Sequence, residues 1–151
     1  MAVDVLGYFM KKSKRMQLLV DLAKRKEDAV ATQLARDKAK VADDQRKLEE
    51  LKEYASQYES ERNLLGLSAY LTTNYQHFTN RVQQAVQQQE AAVGRAQQQA
   101  DMTQRRWLQA RSKTQSMDYL RDKNIKIENL LEDKQEQKQS DEFAMRRFIS
   151  Q

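Results

Sequence analysis

The sequence contains no proline and no cysteine, and it has only three glycines in 151 residues. At ordinary frequencies, a chain of this length would carry about seven prolines and about ten glycines. Because proline breaks helix interiors, its absence permits very long uninterrupted helices. Strand signals are also missing, since no stretch combines β-branched alternation with an Asn-Gly or Pro-Gly turn. The remaining composition, rich in Gln, Ala, Lys, Arg, Glu and Leu, predicts an all-α protein.

The residue types that carry catalysis and metal binding are equally scarce. Without cysteine there is no thiol nucleophile and no disulfide framework, and one histidine, His77, cannot form a metal-binding pair. No Gly-rich loop is present to hold a phosphate. Carboxylates on a slim helical pair lie on convex, solvated faces, which do not support general acid–base catalysis. We therefore expect a protein that is not an enzyme and has no cofactor or metal, with His77 an exposed helix residue.

Hydropathy and charge indicate where the protein is located and which class of molecule it binds. No apolar run approaches the roughly 20 residues needed to span a bilayer, and the apolar residues 3–10 precede a basic cluster, the reverse of a signal peptide. The net charge is +5, with both signs interleaved. Nucleic-acid binding through the basic termini is an alternative to protein binding, but the interspersed acidic residues and the lack of a readout module argue against it. We expect an intracellular protein that binds other proteins and no nucleic acid.

A heptad pattern runs through the first half of the chain and defines a seam, the narrow strip along which two helices pack. Ten of its fourteen core positions are apolar or aromatic; the full set is Val20, Ala23, Glu27, Val30, Leu34, Asp37, Val41, Asp44, Leu48, Leu51, Ala55, Tyr58, Arg62 and Leu65. Four of them are charged. Charges in a seam cost stability but can select a register or a partner, and local fraying with solvent access is the other interpretation.

The heptad pattern ends at the segment 63–68, which has the residues of a tight turn. Gly66 can take the left-handed conformation that closes a helix, and Ser68 can accept hydrogen bonds from the first amides of the next one. The sequence therefore predicts one domain, with a first helix over about residues 4–64, a turn at 65–68 and a second helix over about 69–148.

A second apolar stripe follows the turn. Its positions are Leu71, Tyr75, Phe78, Val82, Ala85, Gln89, Val93, Ala96, Ala100, Thr103, Trp107, Ala110, Thr114, Met117, Leu120, Asn124, Ile127 and Leu131. Folding at Gly66 places Tyr58 opposite Tyr75. The fold predicted is a long antiparallel two-helix coiled coil, a helical hairpin with a C-terminal overhang after about residue 131. Trp107 fits core packing on this stripe, with an aromatic anchor for a partner as the alternative, and Gly94 should mark a soft point.

Several segments, in the same order along the chain, resemble the flagellar export protein family FliJ. They are residues 48–54 followed by Tyr58, residues 75–78 followed by Val82, Ala85, Val86 and Gln89, the tryptophan at 107 with its basic neighbours, and residues 136–147. FliJ proteins are small cytoplasmic parts of the flagellar type III export apparatus and resemble the coiled-coil stalk of rotary ATP synthases. The equivalent stalk of a virulence secretion system is an alternative with the same architecture.

The resemblance implies partners and the residues that bind them. The partners are the hexameric export ATPase FliI, the export gate protein FlhA and free export chaperones, which would place the protein peripherally at the inner membrane through protein contacts. The gate-binding positions implied are Lys47, Leu51, Tyr54, Tyr58, Phe78, Val82, Ala85 and Gln89. The ATPase-binding positions implied are Leu19, Leu22, Lys24, Arg25, Arg36, Phe143, Arg146, Arg147 and Phe148.

Several gate positions also lie on the predicted seam, so packing and binding compete for them. Tyr54 lies one turn before Tyr58 and off the seam, and we expect it to be exposed. We therefore expect Tyr54 and Phe78 to be the better partner contacts, and Leu51 and Val82 to be structural. Some family members have a histidine at the position of Gln89.

Overall fold

The computed structural model describes the backbone of residues 11–65 and 69–150 and the side chains of residues 11–64 and 73–150. The described residues form two helices, α1 (Lys12–Leu65) and α2 (Ala69–Ile149), of 54 and 81 residues. No strand occurs in the described ranges. The helices run antiparallel, since Tyr58 near the end of α1 stacks on Tyr75 near the start of α2. The fold is an all-α helical hairpin coiled coil, and the predicted fold class is confirmed.

Within the described residues, α1 begins at Lys12. Lys11 is not helical, and its carbonyl accepts hydrogen bonds from the backbone amides of Lys14 and Arg15, so it is the residue that caps α1. The predicted start near residue 4 falls in residues 1–10, outside the described residues. The turn residues 66–68 also lie outside them.

The chain divides into two units, each of which contains parts of both helices. The terminal unit combines Met1–Asp28 with Gln109–Gln151, and the turn unit is Ala29–Leu108. Over the described residues, neither helix contains a stretch long and apolar enough to cross a membrane.

The predicted seam of α1 is confirmed at every position whose side chain is described. Seven positions are buried: Val20, Ala23, Glu27, Leu34, Asp37, Val41 and Asp44. Six more are half-buried: Val30, Leu48, Leu51, Ala55, Tyr58 and Arg62. Three of the four charged positions are therefore among the buried ones, which excludes fraying and solvent access as their explanation.

From Tyr75, the seam of α2 follows the predicted stripe as far as Met117 and again at Asn124, which is half-buried. The side chain of Leu71 lies outside the described residues. The predicted positions Leu120, Ile127 and Leu131 are exposed by 40%, 45% and 61%. Arg121 and Glu128 are half-buried in place of the first two. The strict heptad spacing continues through these polar residues because each makes a hydrogen bond to α1, whereas the neighbouring apolar residues point away from it.

The pairing between the helices agrees with the prediction near the turn and shifts slightly further along. The Tyr58 and Tyr75 rings stack as predicted. Counting back along α1 and forward along α2 from the Tyr58–Tyr75 pair gives the position expected opposite Val41. Val41 in fact forms a buried cluster with Ala96 and Ala100, about one helical turn further along α2. Small alanine side chains bury little area, so hydrophobic stabilisation is modest in the middle of the turn unit.

The C-terminal overhang is confirmed. Every described side chain from residue 129 to residue 150 is exposed, although the backbone stays helical to Ile149. Among the described residues, the hydrogen bonds and ion pairs that join Lys11 and α1 to α2 reach no further along α2 than Glu132.

Candidate partner-binding surfaces

Four aromatic side chains form a cluster in the turn unit, which we call the aromatic patch: Tyr54, Tyr58, Tyr75 and Phe78. The Tyr58 and Tyr75 rings stack with centroids 5.1 Å apart, and Phe78 lies 4.2 Å from Tyr58. Tyr54 meets Phe78 edge-on at 6.1 Å, and the Arg62 guanidinium lies 4.0 Å above the Tyr75 ring. Aromatic pairs in these geometries stabilise beyond simple burial.

The members of the aromatic patch differ sharply in exposure. Tyr75 is 5% exposed and therefore belongs to the core, whereas Tyr54 is 52% exposed. Phe78 is half-buried. The expectation that Tyr54 lies off the seam and is exposed is confirmed, and it is the ring that a partner can reach most fully. The patch borders a small hollow lined by Ala55 and residues of α2.

The other gate positions on the seam are half-buried, as Tyr58 and Phe78 are. Among them are Leu51, Val82 and Ala85. The side-chain amide of Gln89 donates a 2.8 Å hydrogen bond to the backbone carbonyl of Asp44, joining the two helices. This bond holds the Gln89 side chain against α1.

Three further residues singled out from the sequence lie as follows. Lys47 is exposed and forms an ion pair with Asp43, one turn earlier, at 3.3 Å. His77 is exposed, as predicted. Trp107 is half-buried on the predicted stripe, in agreement with the packing interpretation.

An apolar groove with basic edges lies in the terminal unit, and we call it the terminal groove. Its lining consists of Leu19, Leu22, Ala23 and Lys26 from α1, and Lys113 and Met117 from α2. Leu19 and Leu22 are 45% and 49% exposed, and Leu18 beside them is 58% exposed. Exposed leucines grouped beside lysines are typical of a protein-binding surface.

Of the six residues that line the terminal groove, only Leu19 and Leu22 are among the binding positions that the resemblance implies. Lys26 and Lys113 belong to no motif, and Lys113 and Met117 are more than ninety residues from Leu19 and Leu22 in sequence. The available signal was the four-residue spacing of Leu22 and Lys26 and of Lys113 and Met117, which places each pair on one face of its helix.

The remaining ATPase positions are not among the residues that line the terminal groove. Lys24 is paired with Glu27 and Asp28, and Arg36 is exposed in the turn unit. The C-terminal positions, all exposed, are Phe143, Arg146, Arg147 and Phe148. Phe143 lies 26 residues beyond Met117 on the same helix, or roughly 40 Å away. The Arg147 guanidinium packs against the Phe143 ring at 5.8 Å.

The buried charges of the turn unit have partners. The Asp37 carboxylate accepts hydrogen bonds from Thr103 at 2.6 Å and from Gln33 at 2.9 Å, and these bonds hold the pKa of Asp37 below its ordinary value. The Asp44 carboxylate accepts one from Lys40 at 3.2 Å. Among the described residues, no buried side-chain nitrogen or oxygen is left without a hydrogen bond, so these charges select the register without leaving an unpaired buried group.

The start of α1 is fixed to α2 by a second polar cluster, which we call the N-terminal latch: Lys11, Ser13, Glu128 and Glu132. The Glu128 carboxylate accepts hydrogen bonds from the Ser13 backbone amide at 3.0 Å and from the Ser13 hydroxyl at 2.6 Å. It therefore satisfies one of the free amides at the helix start. These bonds lower the pKa of Glu128, and the Lys11–Glu132 ion pair at 2.6 Å raises the pKa of Lys11.

Two comparisons with known proteins, one with protein families and one with individual proteins, agree on the family of this chain. The family described as "Flagellar FliJ protein" matches residues 11–151, nearly the whole chain. This chain belongs to the FliJ family. A "Flagellar FliJ protein" of Salmonella typhi is 26% identical over 134 residues, covering 87% of this chain and 91% of the relative. No solved structure matches.

Membership of the FliJ family makes the protein a component of the flagellar export apparatus. The FliJ match covers both units, and so it includes the aromatic patch and the terminal groove. In the part of the chain that the structure describes, no group of three or more His, Cys, Asp or Glu side chains is placed to hold a metal ion.

Proposed function

We propose that this FliJ protein is a non-catalytic stalk that binds the hexameric export ATPase and the export gate, and that it also binds free export chaperones. Its location would be cytoplasmic, at the inner-membrane gate through protein contacts. The observation that carries the proposal is the exposure of two separate binding surfaces, the terminal groove and the aromatic patch, on a helical pair whose seam is otherwise satisfied.

The terminal groove supports ATPase binding. Leu19 and Leu22 offer apolar area that α2 leaves nearly half uncovered. The side chains of Lys26 and Lys113 border this area and can meet acidic groups of a ring pore. Exposed lysines lose little solvation when they approach carboxylates, so the contact should form quickly and weaken with salt.

Binding to the purified export ATPase at low salt tests this surface. The variant Leu19→Ala/Leu22→Ala should bind more weakly and lose the stimulation of ATP hydrolysis. Leu64→Ala is the matched control, because Leu64 is 84% exposed in the turn unit and should leave binding unchanged. The proposal is wrong if the wild-type protein neither binds nor stimulates the ATPase.

The aromatic patch supports gate binding, with Tyr54 as its most exposed ring. Aromatic side chains supply much of the energy at protein interfaces. Because Tyr54 contributes only an edge contact to Phe78, its removal should leave the core intact.

Gate binding is tested with Tyr54→Ala and with the double variant Tyr54→Ala/Phe78→Ala. Both should lose binding to the gate protein while helicity, measured by circular dichroism, is retained. Tyr119→Ala is the control, since Tyr119 is 68% exposed in the terminal unit. Loss of helicity together with binding would show that these rings serve as core. A pull-down from cell extract, with identification by mass spectrometry, tests the export chaperones as partners.

A further inference from the structure

The exposed end of α2 carries an apolar and charged face that no described residue covers. The tail face, as we name it, consists of Leu131, Lys134, Lys138, Asp141, Met145 and Phe148, which follow one another at alternating steps of three and four residues. Leu131, Met145 and Phe148 are 61%, 67% and 82% exposed. The spacing places these three apolar side chains on one face of the helix, where they are open to solvent.

The charges of the tail face are separated along its length. Lys134 and Lys138 occupy its first half, and Asp141 with the adjacent Glu142 occupies its second half. These four side chains surround one shallow hollow together with Gln137 and Met145. None of the four charged groups forms an ion pair or a hydrogen bond with another described residue.

We propose that the tail face pairs antiparallel with the tail face of a second copy of this chain. A twofold axis between Lys138 and Asp141 places the basic half of each copy opposite the acidic half of the other. The same axis places Leu131 opposite Phe148 of the second copy, and Met145 against the aliphatic stem of Lys134. The pairing is isologous, so each of these contacts occurs twice.

Charge complementarity selects both the partner and the direction. A parallel pair would bring Lys138 against Lys138 and Asp141 against Asp141, which is repulsive. A polyanion would meet repulsion from Asp141 and Glu142, and a polycation from the two lysines. Only a surface with the reverse order of charges fits, and a second tail face running in the opposite direction has that order. The contact is small, so the dimer should be weak.

The test uses the full chain and two complementary charge variants. Lys134→Glu/Lys138→Glu makes the tail face entirely acidic, and Asp141→Lys/Glu142→Lys makes it entirely basic. Sedimentation equilibrium between about 1 µM and about 500 µM should show dimerisation of the wild type. Each variant alone should associate at least about tenfold more weakly, and an equal mixture of the two should recover the wild-type affinity or exceed it. Lys123→Glu/Lys126→Glu, an equal charge change at exposed positions nearer the middle of α2, is the control and should dimerise like the wild type.

The direction of pairing has its own readout, because the chain contains no natural cysteine. Mixed Gln135→Cys and Glu142→Cys variants should form a disulfide with each other far more readily than either forms with itself. The proposal fails if the wild type is monomeric throughout, if either charge variant alone dimerises as the wild type does, or if the mixture of variants does not associate. The inference does not depend on the export ATPase or the gate, so it can fail while the proposed function stands.

Discussion

The hydroxyl of Thr103 donates a 2.6 Å hydrogen bond to the carboxylate of Asp37, and so joins the two helices through the interior of the seam. Thr103 has no exposed surface and Asp37 is 9% exposed. A buried carboxylate keeps its charge only when hydrogen bonds replace water. Thr103 therefore stabilises the charge of Asp37 together with Gln33 of the same helix as Asp37, and another register of the helices would remove the Thr103 bond.

Thr103→Val should destabilise the protein, because valine has nearly the same shape and removes only the hydroxyl. The melting temperature, followed by circular dichroism at pH 7, should fall by several degrees. Thr114→Val is the matched control: Thr114 is also buried, but its hydroxyl bonds to the Ala110 carbonyl of its own helix. Equal losses in the two variants would contradict a specific role for the bond to Asp37.

The same bond predicts a pH dependence. The Thr103 and Gln33 hydrogen bonds lower the pKa of Asp37 in the folded state below its ordinary value of 3.8. A lowered folded-state pKa gives stabilisation that is present above the unfolded-state pKa and is lost as pH falls through the folded-state value. The difference in melting temperature between the wild type and Thr103→Val should therefore be largest near neutral pH and shrink in acid. A difference that stays constant down to the acid range would contradict the assignment.

The sequence predicts the positions whose burial follows from apolar spacing, and it misses those whose burial depends on hydrogen bonds to the other helix. The heptad of α1 and the Tyr58–Tyr75 pairing follow from apolar spacing, and both were predicted correctly. Arg121 and Glu128 were missed, because Leu120 and Ile127 next to them look like better core residues. Arg121 and Glu128 lie on the seam because their hydrogen-bonding partners on α1 are opposite them. The sequence does not show where those partners lie. Met117 was predicted on the α2 stripe, but its place in the terminal groove with Lys113 was missed, because the sequence does not show which residues of α2 lie beside Leu19 and Leu22.

We expect the N-terminal latch to keep the first turns of α1 helical. Ser13→Ala removes the hydroxyl bond to Glu128, and Glu128→Ala also leaves the Ser13 amide without its acceptor. Amide hydrogen exchange in the first turns of α1 should accelerate in both variants, and more in the second. Lys11→Ala should have little effect, because its ion pair with Glu132 is exposed. Unchanged exchange in Glu128→Ala would show that the latch does not hold the helix start.

We expect the buried and the exposed rings of the aromatic patch to differ in how strongly their removal destabilises the protein. Tyr75→Ala removes a buried ring that stacks on Tyr58 and lies under Arg62, and should cost about 3–5 kcal/mol in free energy of unfolding. Tyr54→Ala removes a ring that is 52% exposed, and should cost about 1 kcal/mol or less. Urea unfolding followed by circular dichroism measures both, and equal costs would contradict the distinction between core and surface rings.

Gly94 lies in the interior of α2, and its replacement by alanine should stabilise the protein. A Cβ atom built at Gly94 meets nothing within 4 Å, so alanine fits without a clash. Glycine in a helix interior costs about 1 kcal/mol relative to alanine, because the unfolded chain loses more conformational freedom. Gly94→Ala should therefore raise the free energy of unfolding by about 0.5–1 kcal/mol. Ala91→Gly, at an exposed position one turn earlier, should lower it by a similar amount. A decrease in stability for Gly94→Ala would contradict the open surroundings of Gly94.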